Sequence, residues 1–224
     1  MLLDDVWPVR GLKVTGPVVQ LVVPDEQRLS ELAALAADGV YDPQNQYLPR
    51  SPVAGWEGGE PLEAQRSFLR YVWAASADWS PTRWNLVLAA VVDDRCVGVQ
   101  EVGAKDFAVT RTVSTGSWLA REHQGRGYGR AMREAVLTLA FDLGADRAES
   151  AAWSHNGPSL GVSRALGYRP NGTTVRVWRG QRHEQADLVL HRRDWVAPQG
   201  VTLSGLSDDA RRFLGAPSRT DGEI

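Results

Sequence analysis

Apolar residues in the second half of the chain recur with the spacing of an α-helix. From residue 132 they stand at i, i+3, i+4 and i+7, and Gly144 occupies a position at which helices commonly end. The residues of this stripe are Met132, Ala135, Val136, Leu139, Ala140 and Leu143. The pattern predicts a helix that buries one face against a core.

The other apolar segments predict strands that alternate with shorter helices. A β-branched run from Val18 to Val23, then Pro24-Asp25 and helical spacing through Ala36, predicts a strand followed by a helix. The further predicted helices are Leu62–Ala77 and Pro158–Leu166, and the further strands are Asn85–Val92, Cys96–Val102, Thr112–Leu119, Arg147–Trp153, Thr173–Arg179 and Gln185–His191. The face expected to be buried on the first of these helices is Leu62, Leu69, Val72, Trp73 and Ser76, widened by Phe68 and Tyr71.

This order of elements indicates one α/β domain over residues 1–195. Antiparallel strands come first, and strand, helix, strand, helix and hairpin follow. Residues 40–61 hold four prolines and three glycines, which favour an ordered loop. Residues 196–224 are expected to form a C-terminal tail whose last residues are disordered.

Composition narrows the function classes. The 224 residues carry a net charge of −2, so no global positive charge points to nucleic acid or to a membrane surface. No apolar stretch reaches the roughly 18 residues that a membrane span needs, and the start of the chain does not have the pattern of a signal peptide. The single cysteine, Cys96, lies in an apolar run and is expected to be buried. We therefore expect a cytoplasmic protein without membrane or nucleic-acid partners, and the His, Cys and Asp residues show no metal-ligand spacing.

A glycine-rich turn separates the strand that ends at Leu119 from the long helix. Glycine lets an anion approach the backbone, and the start of a helix offers unpaired N–H groups and a partial positive charge. Four arginines set against Glu122 add a local charge of +3. The turn is Gln124-Gly125-Arg126-Gly127-Tyr128-Gly129, and the arginines are Arg121, Arg126, Arg130 and Arg133. The segment is suited to a pyrophosphate.

The spacing within this turn resembles a known family. Gln124, Gly127 and Gly129 follow the Q-x-x-G-x-G order of the GNAT acetyltransferases, and neither the dinucleotide fingerprint nor the P-loop lysine is present. Asn156 with Ser159, then Gly167-Tyr168, are similar to the N-x-x-S and G-Y segment of the ribosomal-protein N-terminal acetyltransferase branch. The resemblance covers about Trp84 to Trp195. It implies a mixed, mostly antiparallel sheet with a splayed parallel strand pair and flanking helices.

The resemblance implies acyl-coenzyme A as co-substrate and assigns residues to it. Backbone groups of Trp118, Leu119 and Ala120 would bind the pantetheine and polarise the thioester. The turn residues and Arg130 would hold the phosphates. Further contacts are implied for Asn156, Ser159, Ser163 and Arg164. The segment from Lys105 to Leu119 looks most like actinobacterial members, one of which resembles a succinyl-CoA user, so the donor is acetyl-CoA or succinyl-CoA. Lys105 and Arg111 are the cations expected to meet a succinyl carboxylate.

Transfer to an amine also needs a base for the amine proton and an acid for the leaving thiolate. Three carboxylates are candidates for the base: Glu101 on a strand, Asp106 at a turn and Glu184 in the last hairpin. The sequence does not choose among them. Many members of the family carry a tyrosine acid on the second short helix, where this chain has serines, and Ser159 is the expected acid.

The acceptor stays open at this point. The resemblance implies an amine of a protein, with a homodimer as the assembly. A small-molecule amine such as an aminoglycoside, polyamine or biosynthetic intermediate is the alternative, and a polycation would require an acidic cluster. The N-terminal half offers Asp42, Glu57, Glu60 and Glu63 for it, and Trp56, Trp73 and Trp79 as pocket aromatics. A coenzyme A-binding regulator without turnover is the third hypothesis.

Overall fold

A computed structural model describes residues 2–40, 60–178 and 180–217 of the chain. Nine strands form one sheet in the order β7-β8-β6-β5-β4-β3-β2-β1-β9. The helices are α1 (Leu3–Val6), α2 (Glu26–Asp38), α3 (Pro61–Ala77), α4 (Phe107–Thr110), α5 (Tyr128–Asp142), α6 (Gly157–Ala165) and α7 (Asp208–Phe213). The strands are β1 (Lys13–Thr15), β2 (Gln20–Val22), β3 (Arg83–Val92), β4 (Arg95–Lys105), β5 (Thr112–Leu119), β6 (Arg147–Trp153), β7 (Arg169–Trp178), β8 (Gln181–His191) and β9 (Thr202–Ser204).

All pairings in the sheet are antiparallel except that of β5 with β6, which is parallel. This is the mixed sheet with a parallel strand pair that the family resemblance implies. The predicted loop within residues 40–61 lies mostly outside the described residues, and Trp56, Asp42 and Glu57 lie there with it.

Helix α5 packs on one face of the sheet with the stripe that its periodicity predicts. Met132, Ala135, Val136 and Leu139 are all buried in the larger core. Gly144 has a φ of +92°, as the residue after a helix often does. Because the stripe is continuous over the whole helix, α5 is fixed against the strands that flank the glycine turn.

Helices α2 and α3 cover part of the opposite face. Leu32 of α2 and Phe68 of α3 are fully buried, and the Phe68 ring stands edge-on to Trp118 of β5 with centroids 6.1 Å apart. The buried face predicted for α3 is wrong in part: Leu62 and Trp73 are 55% and 56% exposed. Phe68 and Val72 are buried as predicted, and Ala64 completes the face against the sheet.

Residues beyond 195, predicted to form a tail, add to the same fold. Strand β9 pairs with β1, and Ala210 and Leu214 are fully buried. The Trp84 indole N–H donates to the Leu214 carbonyl at 3.0 Å. Trp79, expected in a pocket, stacks on Phe213 with centroids 5.1 Å apart. Residues 218–224, for which disorder is predicted, lie outside the described residues.

Gly98 on β4 permits a close approach of β5. A methyl group at this position would overlap the Trp118 carbonyl oxygen and lie 2.8 Å from the Leu119 Cα. We expect Gly98→Ala to lower the free energy of unfolding by about 3 kcal/mol, as overpacking does when backbone must move. Chemical denaturation measures this. Gly116→Ala on β5 is the control because nothing lies within 4 Å of a methyl group there; equal losses in both variants would contradict the prediction.

Candidate active site

The glycine turn brings free backbone groups to the start of α5. Gly127 is the residue before the helix, and its φ of +82° is one that residues with a side chain rarely adopt. Because glycine has no side chain, no side-chain hydrogen bond caps the N-terminus of this helix. A methyl group on Gly125 or Gly127 would meet nothing within 4 Å. The turn therefore leaves open space beside the backbone at a helix N-terminus, which suits an anion.

Gln124 holds this turn in place. Its Nε2 donates to the Leu119 carbonyl at 3.0 Å and to the Val40 carbonyl at 2.6 Å. The side chain ties the turn to the end of β5 and to the end of the α2 segment. Gln124 is predicted to contact the phosphates, but its side-chain amide donates to two backbone carbonyls of the protein. Its role in the structure is therefore to position the turn.

The charged residues of the turn differ in how far they are already paired. Arg130 Nε bonds Glu134 Oε1 at 2.9 Å, and Glu122 faces His123 at 3.3 Å. Arg121 and Arg126 are exposed, and within residues 60–178 no carboxylate pairs with either. These two guanidinium groups are the ones available to an anion in the turn.

Beside the turn, β5 and β6 separate. Their ladder runs from Thr112 with Arg147 to Thr115 with Ser150 and stops there, although both strands continue. The opening is a cleft of about 320 Å³ whose lining includes Trp118, Asn156 and Ser159. The splayed pair implied by the resemblance is present.

The backbone groups predicted to face this opening are not all free. The Ala120 N–H donates to the Val97 carbonyl at 2.9 Å, so it is not available to a ligand. Leu119 lies next to it and its carbonyl accepts from Gln124 rather than from β4. Because N–H and C=O groups of one strand residue point to the same side, the Leu119 N–H faces away from β4, toward the cleft.

Glu101 lies in this cleft with two hydrogen-bond donors. Its Oε2 accepts from the Tyr71 hydroxyl at 2.5 Å and from Asn85 Nδ2 at 3.0 Å. Burial and the neighbouring carboxylate raise the pKa of Tyr71 well above its usual value, so the phenol stays protonated and donates. Glu101 is thereby oriented by α3 and β3 with its carboxylate at a solvent-reachable opening.

The other two candidate bases lie elsewhere. Glu184 pairs with Arg182 at 2.8 Å in the last hairpin, and Asp106 is an exposed residue before α4 with a φ of +49°. Neither lines the cleft. Of the three carboxylates, the structure brings only Glu101 to the opening between β5 and β6.

Helix α6 supplies one wall of the cleft. Asn156 caps the helix, accepting from the Ser159 N–H at 3.2 Å, and both residues line the opening. Ser163 was expected at the cofactor, but it is 1% exposed and its hydroxyl donates to the Ser159 carbonyl at 3.2 Å. Arg164 is exposed on the same helix and does not line the cleft.

Arg133, counted from the sequence among the arginines of the glycine turn, lies instead in the cleft. It is 4% exposed, its guanidinium bonds Ser150 Oγ at 3.0 Å and Ser117 Oγ at 3.4 Å, and it lies 5.8 Å from the Tyr168 ring centroid. Its Nε has no partner, and within the described part of the chain no carboxylate pairs with it. The signal that could have found it is its helical spacing to Val136, a buried position.

The cations predicted to meet a succinyl group lie outside this cleft. Arg111 packs its guanidinium over the Phe107 ring at 5.7 Å, at the far end of β5. Lys105 lies in a neighbouring groove. The cation inside the cleft is Arg133.

Comparison with known proteins agrees with this geometry. Residues 28–169 match the Acetyltransferase (GNAT) domain. The chain belongs to the GNAT acetyltransferase family.

Solved structures with this fold include three informative neighbours. Mycobacterium smegmatis RimJ in complex with CoA-disulfide is 21% identical, with a TM-score of 0.64 over 87% of this chain and 91% of that one. RimL, a ribosomal-protein alpha-N-acetyltransferase in complex with coenzyme A, is 15% identical, with a TM-score of 0.58 over 78% and 94%. The microcin C7 self-immunity acetyltransferase MccE in complex with acetyl-CoA and AMP is 13% identical, with a TM-score of 0.60 over 79% and 93%.

In the described ranges, no three His, Cys, Asp or Glu side chains are grouped as a metal ion would require. Over the same residues, no helix has both the length and the apolar character of a membrane span.

Proposed function

We propose that this chain transfers an acetyl or succinyl group from acyl-coenzyme A to a primary amine of a protein, at an N-terminus or a lysine. The observation that carries the proposal is the open cleft between β5 and β6, which has Glu101 in its lining and lies along the strand that leads into the glycine turn. The relatives RimL and RimJ, whose structures contain coenzyme A or its disulfide, support the choice of donor.

The glycine turn and the cleft fit the donor. Open backbone at Gly127, with Arg121 and Arg126 beside it, would hold the phosphates, and the Leu119 N–H with Asn156 would hold the pantetheine. When bound, acyl-coenzyme A supplies the acyl group as an activated thioester.

Glu101 is the proposed base. Amines of protein N-termini and lysines have pKa values near 8 and 10, so a group that accepts the amine proton is needed at neutral pH. The Tyr71 and Asn85 donors hold Glu101 in one orientation, and its second oxygen can receive the proton directly or through water. Ser159 lines the cleft, and its hydroxyl is proposed to supply a proton to the departing thiolate, which leaves as the free thiol.

A panel of amines tests the transfer. Purified protein is mixed with acetyl-CoA or succinyl-CoA and with N-terminal peptides, lysine peptides, polyamines and aminoglycosides, and free thiol is measured. Release that depends on a peptide amine supports the proposal, whereas tight coenzyme A binding with no release for any amine supports a non-catalytic regulator.

Sedimentation velocity checks the expected homodimer, which has twice the monomer mass.

Arg133 is the observation that favours an acidic acyl group. A buried cation without a carboxylate partner is costly, and a carboxylate on the acyl chain would pair with it. We expect Arg133→Met to reduce kcat/KM for succinyl-CoA at least tenfold, about 1.4 kcal/mol, and to change acetyl-CoA by less than about threefold. Thiol release with each donor measures both.

Two controls accompany this prediction. Lys105→Ala should change kcat/KM for succinyl-CoA and for acetyl-CoA by the same factor, because Lys105 lies outside the cleft. The ligand-free Arg133→Met protein should be at least as stable as the wild type, since an unpaired buried charge is removed. Wild-type protein that prefers acetyl-CoA more than tenfold would contradict the succinyl assignment.

A further inference from the structure

A second groove adjoins the cleft on the face of the sheet that carries Glu101. It has a volume of about 850 Å³, more than twice that of the cleft, and it shares Glu101, Thr115 and Gly116 with it. Its floor is formed by the polar ends of β4, β5 and β6. A molecule lying in this groove would reach the proposed base from the side opposite the glycine turn.

Two cations face each other on one wall of this groove. Arg83 of β3 and Lys105 of β4 are directly opposite in the antiparallel ladder, and both are exposed groove residues. Like charges at directly opposite positions destabilise a sheet. Neither side chain has a carboxylate partner among the described residues. The two side chains therefore form a positive site that no described carboxylate neutralises, and their mutual repulsion lowers the stability of the fold.

A third cation lines the groove from the other side. Arg176 of β7 bonds the Gln185 amide oxygen at 3.3 Å, and no carboxylate of the described chain pairs with it. Arg147 is already matched by Glu149 at 2.8 Å. The groove lining thus contains four cations and two carboxylates. Of the carboxylates, Glu149 pairs with Arg147, and Glu101 accepts hydrogen bonds from Tyr71 and Asn85.

We infer that the acceptor is a peptide segment with carboxylate side chains within a few residues of the amine that is acylated. This inference rests on the proposed acyl transfer. The amine would enter at Glu101, while the carboxylates pair with Arg83 and Lys105 on one side and Arg176 on the other. The same positive charge disfavours a polyamine or an aminoglycoside.

The spread of the cations favours a peptide over a small anion. Strand β7 is four places from β4 in the sheet order, or about 19 Å along the sheet at the usual strand spacing. An extended chain covers about 3.3 Å per residue, so a segment of several residues is needed to contact both walls. A small amino acid with one or two carboxylates would contact one wall only.

Matched peptides test this inference on the full chain. The peptides share one N-terminal residue and length, and differ in carrying Asp and Glu, Asn and Gln, or Lys at positions two to five. With acetyl-CoA as donor, we expect kcat/KM for the acidic peptide to exceed that for the neutral one at least tenfold. The advantage should shrink as salt is raised, because exposed charges are screened. Equal use of all three peptides, or preference for the basic one, would overturn the inference.

Variants locate the effect in the groove. Lys105→Gln and Arg83→Gln should each lower kcat/KM for the acidic peptide at least fivefold and leave the neutral peptide within twofold. Arg95→Gln is the matched control: it lies on the same strand as Lys105, at the opposite end, and outside the groove. Losses that are the same for acidic and neutral peptides would overturn the assignment.

Peptide binding measured without turnover separates this inference from the proposed function. Fluorescence anisotropy of labelled peptides is recorded in the presence of coenzyme A. Tight binding of the acidic peptide with no acyl transfer would support the groove and refute the transferase proposal. Transfer without preference for acidic peptides would refute the groove and keep the transferase. Free aspartate acylated as efficiently as the acidic peptide would overturn the peptide assignment.

Discussion

Gly127→Asp is expected to weaken acyl-coenzyme A binding by at least about 100-fold, which corresponds to ~2.7 kcal/mol. The new carboxylate would stand where nothing lies within 4 Å of the backbone at the start of α5, in the space proposed for phosphate oxygens. Repulsion of an anion then replaces attraction by the helix N-terminus. Isothermal titration calorimetry with coenzyme A measures the loss.

Gly127→Asn is the matched control for this substitution. Asparagine and aspartate both tolerate positive φ better than other residues with a side chain, so the two substitutions strain the backbone at +82° to a similar extent. Asparagine occupies the same space without the charge, and it should therefore bind more tightly than the aspartate variant. Thermal unfolding of both variants tests whether they are folded. Wild-type affinity in the aspartate variant would refute the phosphate assignment.

Glu101→Gln is expected to lower kcat by at least about 100-fold while KM for acyl-coenzyme A changes little. Removal of a positioned base commonly costs a factor of 10²–10⁴. The amide keeps an oxygen that can accept from Tyr71 and Asn85, so the local fold is preserved and the loss reports the missing carboxylate. Thiol release at saturating donor and peptide measures kcat.

The two remaining carboxylates provide the comparison. Glu184→Gln and Asp106→Asn should stay within about twofold of wild-type kcat, because neither residue lines the cleft. Activity in Glu101→Gln within threefold of wild type would exclude Glu101 as the base. A large loss in Glu184→Gln would reopen the assignment to the last hairpin, where the sequence left it as an alternative.

Short-range patterns in the sequence determined most of the secondary structure. The stripe from Met132 to Leu143 predicted α5, and the alternation of apolar runs with turns predicted β3 to β6 within about two residues at most ends. These features depend on neighbours a few residues apart, whose spacing is visible in the sequence. The order of Gln124, Gly127 and Gly129 likewise indicated the family that the domain match shows.

Only the tertiary structure decided which side chains meet. Tyr71 and Glu101 are 30 residues apart, and Gln124 bonds a carbonyl 84 residues away. The buried face of α3 depends on where the Trp118 side chain of β5 lies, and Arg133 faces the cleft because β5 and β6 diverge above it. Residues 196–217 contribute β9 and α7 because β9 pairs with the edge strand β1 and the apolar side chains of the α7 segment pack into the larger core. Such contacts are set by packing of distant elements, and hydrophobic periodicity carries no information about the partner of each face.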